Sequence, residues 1–221
     1  MASIDIRGDI VGNDDKWIYD WLGWDATCPH DIKKALDELR PGERLTVLIN
    51  SGGGSVMAGQ EIYSMLHGRQ DIEIQIQSLA GSAASVIAMS NYTQISPVAM
   101  IMIHNVSMCG ASGDYHDMQK NAEILMQMNA ALARAYVDKT GKAEEEILGL
   151  MDRETWITAR QALEMGFVDA IMENTSTMTN AAAGLRLTEE VRQQVIKEKQ
   201  AKDSLEERKR EILRDLDLYG I

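Results

Sequence analysis

Ser85 ends the small-residue run Gly81-Ser82-Ala83-Ala84-Ser85, and His104 closes the apolar run Val98-Ala99-Met100-Ile101-Met102-Ile103. Each sits at the end of a core element, where packing holds a reactive side chain still. A serine hydroxyl becomes nucleophilic when a neighbouring base takes its proton, and a neutral imidazole can take that proton and return it to the leaving group. The pair therefore suggests a nucleophile, Ser85, and its base, His104. A helix opening at the small residues would add partial positive charge where an anion develops. Small residues also mark tight helix packing, and a lone histidine at a strand end commonly makes a structural hydrogen bond, so the residues by themselves leave both readings open. His30, His67 and His116 read as structural.

The run Asn50-Ser51-Gly52-Gly53-Gly54 follows an apolar strand and precedes a helix. Backbone N–H groups there can face an anion without side-chain obstruction. No Gly-Lys-Ser/Thr follows, which excludes a nucleotide-phosphate loop. An oxyanion hole, a peptide-docking edge or a plain turn remains. A triad needs an acid to orient its base, and Met151-Asp152-Arg153-Glu154-Thr155-Trp156 offers Asp152 and Glu154, between which spacing does not choose.

The elements that must hold these residues alternate. Strands are expected at 4–11, 45–49, 72–76, 92–96 and 98–103, with turns at 50–54 and 78–81. Helices are expected at 30–39, 55–66 and from 83. This alternation implies βαβ units and a largely parallel sheet. A long helix over 115–140 has apolar or small residues on more than one face, as a helix contacting something on both sides does. Further helices are expected at 143–151 and 159–166, with an extended segment at 154–157. Trp17, Trp21 and Trp24 read as core or subunit packing. Residues 174–184 read as a linker and 185–221 as a charged helical extension with too few apolar residues for its own core, leaving 1–173 as the principal domain.

The net charge is −12, and nucleic-acid binding needs a basic face instead. Residues 186–217 hold 9 Lys/Arg against 9 Asp/Glu, which leaves 13 against 25 for the remainder, so the acidity lies in the body. No apolar run approaches the roughly 20 residues that span a bilayer, and no leader pattern opens the chain; a cytoplasmic protein is expected. Cys28 and Cys109 are too few for a disulfide framework and do not stand at ligand spacing from a histidine, so free thiols are expected, with no metal and no cofactor.

Taken in order, Asn50-Ser51-Gly52-Gly53-Gly54, Gly81-Ser82-Ala83-Ala84-Ser85, Met102-Ile103-His104, and Trp156-Ile157-Thr158-Ala159 through Gly166-Phe167-Val168-Asp169 resemble the Clp protease proteolytic subunit family. The resemblance covers about residues 4–173 and is strongest to the Clp-related head maturation proteases of phages and prophages. It implies the α/β spiral of Clp proteases and crotonases, with residues 107–140 as a projecting handle joining subunits into a homo-oligomeric ring that hydrolyses polypeptides. By resemblance, Ser85 is the nucleophile, His104 the base, and the N–H groups of Gly54 and Val86 the oxyanion hole, with Gly52 and Gly53 docking substrate. Ungapped alignment from Thr140-Gly141 to Trp156 puts Glu154 where the family carries its triad aspartate. The family's loop proline is Gly52 here. The family's axial N-terminal segment has no counterpart before the first strand, so an ATP-driven unfoldase is not expected as a partner, whereas the tail from Gly184 could engage a capsid or scaffold protein. Two rivals are a catalytically silent capsid-assembly protein and a crotonase-type acyl-CoA enzyme, which needs no Ser85–His104 pair.

Overall fold

Leu45, Val47 and Ile49 alternate along one strand and Ile72, Ile74 and Ile76 along its neighbour, all buried. Burying such a side chain fully is worth about 1.5–3 kcal/mol, so these two strands anchor the fold. The structure, a computed structural model, describes residues 2–173 and 189–219. Its elements are β1 (Ala2–Ile10), α1 (Lys16–Leu22), β2 (Ala26–Thr27), α2 (Pro29–Asp37), β3 (Leu45–Gly54), α3 (Val56–Leu66), β4 (Ile72–Gly81), α4 (Ala83–Ala88), β5 (Tyr92–Ile95) and β6 (Met100–Ile103). There follow α5 (Tyr115–Thr140), α6 (Glu144–Asp152), β7 (Thr155–Thr158), α7 (Ala159–Glu164), β8 (Ala170–Ile171) and α8 (Glu189–Tyr219). Among the described residues the sheet has eight strands, six of them in the path β2-β1-β3-β4-β5-β8 with every pair parallel, and β6 and β7 off it.

β4 divides the sheet. Its first part, Glu73 to Ile76, pairs with β5, while Leu79, Ala80 and Gly81 pair with Met100, Ile101 and Met102 of β6. β7 then runs antiparallel to β6, Ile103 opposite Thr155. This is a mixed α/β architecture with a mostly parallel sheet, as the alternating pattern predicts. Ala58, Ile62 and Leu66 of α3, the whole of α4, and Leu132, Ala133, Ala135 and Tyr136 of α5 complete one core with the sheet.

Two expected turns are strand. Residues 78–81 stay in β4 because β6 supplies partners for them, and residues 50–54 stay in β3, paired with β1 through Gly53 and Gly54 after a register shift. β4 therefore ends at Gly81, five residues beyond the expected strand end at Ile76. In α1 the buried residues are Ile18 and Tyr19; Trp24 meets Tyr19 edge-on at a centroid distance of 6.1 Å, and Trp21 is exposed.

The chain divides into two units, Met1–Gly184 and Leu185–Ile221. Of the second, the described part is the single helix α8, and the expected linker at 174–184 lies outside the described residues. Among the described residues no helix is long and apolar enough to cross a membrane.

Candidate active site

The end of β4 delivers Ser82 to the junction between strand and helix. Ser82 adopts φ 51°, ψ −123°, a conformation that costs a non-glycine residue about 1–3 kcal/mol and persists where its surroundings over-determine it. Its N–H donates to the Met102 carbonyl at 2.9 Å. Two residues further along that chain, past the end of β6, is His104, whose Nε2 lies 2.7 Å from Ser82 Oγ. A reactive serine on a sharp strand-to-helix turn presents its hydroxyl above the sheet, and Ser82 and His104 are both partly exposed here.

Gly53 packs against this turn. A Cβ on it would stand 2.6 Å from Ser82 Cβ, 2.7 Å from the Gly81 oxygen and 2.9 Å from the Ala83 nitrogen, and its φ is +100°, so only glycine fits. Its N–H donates to Ser51 Oγ at 3.0 Å, and Ser51 Oγ donates to the Gly8 carbonyl at 2.6 Å. Gly54 faces the other way: a Cβ there would lie 2.2 Å from the Ile10 oxygen. Gly52 is exposed, with open space where a side chain would go. The N–H of Ala83 opens α4, a position with no intrahelical acceptor, immediately after Ser82.

Ser85 lies one turn into α4 and is fully buried. Its Oγ donates to the Ser82 carbonyl at 2.6 Å and lies 2.7 Å from the Tyr136 hydroxyl. Burial holds the Tyr136 phenol well above its ordinary pKa, with the Ser85 hydrogen bond opposing that shift. The antiparallel pairing of β6 with β7 ends at Ile103 opposite Thr155, so His104 is the residue just after β6 and Glu154 the residue just before β7. Glu154 has φ 47°, is exposed, and accepts a hydrogen bond from Trp156 Nε1 at 3.2 Å. Asp152 accepts one from Asn105 Nδ2 at 2.7 Å. Among the described residues no group of three or more His, Cys, Asp or Glu side chains could hold a metal ion.

The family model described as Clp protease matches residues 33–175. The chain belongs to the Clp protease family. Among its relatives, ATP-dependent Clp protease proteolytic subunit 2 of Tropheryma whipplei is 36% identical over 135 residues, covering 59% of this chain and 74% of the relative. Proteolytic subunit 1 of Chlamydia trachomatis serovar D is 32% identical over 148 residues, covering 64% and 77%. The proteolytic subunit of Bacteroides fragilis strain ATCC 25285 is 31% identical over 141 residues, covering 62% and 68%. The chain is thus a peptidase of Clp type.

In this member of the Clp protease family Ser85, expected beside His104, has its Oγ on the Ser82 carbonyl and the Tyr136 hydroxyl. The imidazole meets Ser82, because the longer β4 places Ser82, and not Ser85, at the mouth of the turn, while Ser85 faces the core. The Val86 N–H already donates to the Ser82 carbonyl at 3.4 Å, and Gly54 abuts Ile10 rather than the serine. Gly53 packs beside Ser82 with no room for a side chain between them, and Gly52 next to it is exposed. The signal that could have found Ser82 is its place as the first residue after a strand, ahead of an unbroken small-residue helix.

Proposed function

We propose that the chain is a serine endopeptidase with Ser82 as nucleophile and His104 as base. The observation that carries this reading is the 2.7 Å approach of His104 Nε2 to Ser82 Oγ at a strained strand-to-helix turn, within range for direct proton transfer. With its proton on Nδ1, His104 accepts the Ser82 proton as Oγ attacks the peptide carbonyl carbon. The carbonyl oxygen becomes an oxyanion, and the Ala83 N–H at the start of α4 is placed to receive it. Collapse breaks the C–N bond, and the imidazolium returns the proton to the leaving amine. Water, activated by the same imidazole, then hydrolyses the acyl-enzyme. Glu154 is the acid that holds His104, on the strength of the ungapped alignment that puts it where the family carries its triad aspartate and of its place directly before β7, whose first residue pairs with Ile103.

The substrate strand lies along the Gly52–Gly53 edge, where no side chain obstructs it. The first half of α5 exposes Tyr115, Met118, Ile124 and Met126, an apolar surface suited to the next subunit of a homo-oligomeric ring. The unit from Leu185 lies beyond the family match, and this supports a second part of the reading, recruitment to a capsid or scaffold protein as in head maturation. Hydrolysis of a fluorogenic peptide tests the peptidase reading: Ser82→Ala and His104→Ala each abolish turnover while the assembly persists. Turnover by Ser82→Ala at the wild-type rate would overturn it.

A further inference from the structure

The buried hydroxyls beneath Ser82 are not explained by the mechanism above. Ser85 Oγ donates to the Ser82 carbonyl at 2.6 Å and sits 2.7 Å from Tyr136 Oη, both groups being enclosed in the core. A serine has a single hydroxyl proton. Since that proton goes to the Ser82 carbonyl, the contact with Tyr136 runs with the phenol donating. The chain of donors is therefore Tyr136 O–H to Ser85 Oγ, and Ser85 O–H to the Ser82 carbonyl.

Back-bonding of a helical serine to a carbonyl one turn earlier is ordinary. A phenol from 51 residues away, completing that bond from a different helix, is not a local effect. Tyr136 is itself fixed, with its ring 6.0 Å from that of Phe167 and its carbonyl accepting from Thr140 Oγ1 at 2.7 Å.

The carbonyl at the end of this chain matters because its direction is the ψ angle of Ser82. Three donors converge on it: the Ser85 N–H at 2.9 Å, the Val86 N–H at 3.4 Å and Ser85 Oγ at 2.6 Å. The other side of the residue is held by the Ser82 N–H to Met102 bond. With both peptide planes fixed, the Cα–Cβ bond of Ser82 has one direction, toward His104. We propose that Ser85 and Tyr136 are positioning residues for the Ser82 nucleophile, holding its strained backbone from beneath by a two-step hydroxyl relay out of α5. This inference rests on Ser82 being the nucleophile. It gives Ser85 a role distinct from the nucleophile expected from sequence.

The test is inactivation of the full-length chain by a fluorophosphonate, with kinact separated from KI and assembly checked for each variant. Tyr136→Phe removes one hydroxyl and little else, and Ser85→Ala removes the other. Each is expected to lower kinact by about tenfold, the scale of one lost buried hydrogen bond felt at the transition state, with KI unchanged. The double variant is expected to lose no more than Ser85→Ala, since the phenol acts only through Ser85. A kinact for both single variants within about twofold of wild type, or losses that multiply in the double variant, would overturn the relay. If Ser85→Ala does not assemble, Tyr136→Phe decides alone. Loss of labelling in Ser82→Ala together with unchanged Tyr136→Phe sinks the relay and leaves the peptidase reading standing. Labelling that survives Ser82→Ala removes both.

Discussion

The Ser82 N–H donates to the Met102 carbonyl at 2.9 Å, and this bond ties the end of β4 to the strand that carries His104. The serine and the histidine are thereby set by neighbouring strands of one sheet rather than by a flexible loop. Every residue that fixes the Ser82 turn from another side becomes a place to test the account.

Gly53→Ala is expected to lower kcat/KM by about 100-fold or more, the cost of misplacing a catalytic group by roughly an ångström. The new methyl would fall 2.6 Å from Ser82 Cβ with rigid backbone on either side. Gly52→Ala, where nothing lies within 4 Å of the added carbon, is expected to fold normally and to affect KM rather than kcat. Steady-state kinetics on both variants check this contrast.

Glu154→Gln is expected to lower kcat by on the order of 100-fold or more, because an amide does not stabilise the imidazolium that forms during the reaction. Asp152→Asn, whose carboxylate bonds Asn105, is expected to stay within about threefold of wild type, as a group outside the proton path. The reverse order would transfer the acid's role to Asp152.

Tyr136 gives the fold an alkaline weakness. Burial raises its folded-state pKa above the ordinary value of 10.0, so above pH 10 the unfolded chain releases a proton that the folded chain retains. Stability from this group is complete below that pH and is lost as pH rises through the folded value. Unfolding midpoints in urea should fall more steeply above pH 10 for the wild type than for Tyr136→Phe; equal slopes would contradict the buried, protonated phenol.

Met126 is an exposed apolar residue on α5, and Met126→Asp would bury a charge if that face joins subunits. Sedimentation velocity is expected to show a shift from a ring to smaller species, with peptidase activity lost in parallel. A variant that sediments as the wild type does would place the subunit contact elsewhere.

The alternating pattern makes most of this architecture legible in the sequence. Strands at 45–49 and 72–76 and a helix over 115–140 follow from local periodicity, and His104 follows from ending an apolar run. The approach of Ser82 to His104 does not follow from it. Ser78-Leu79-Ala80-Gly81 has the composition of a turn, but Ala80 pairs with Ser51 and Ile101 and Gly81 with Met102, and long-range pairing outweighs local preference. With residues 77–81 in the strand, the turn falls at Ser82 and Ser85 lies in the core. The phenol of Tyr136 likewise reads as one more apolar position on α5, since nothing in the sequence reports a partner 51 residues away.

The most direct measurement is the location of the covalent adduct after fluorophosphonate treatment, read by mass spectrometry of the peptide spanning residues 78–91. The account predicts a single phosphonyl group on Ser82, absent after Ser82→Ala or His104→Ala. An adduct on Ser85, or one on Ser82 that forms equally fast without His104, would contradict it.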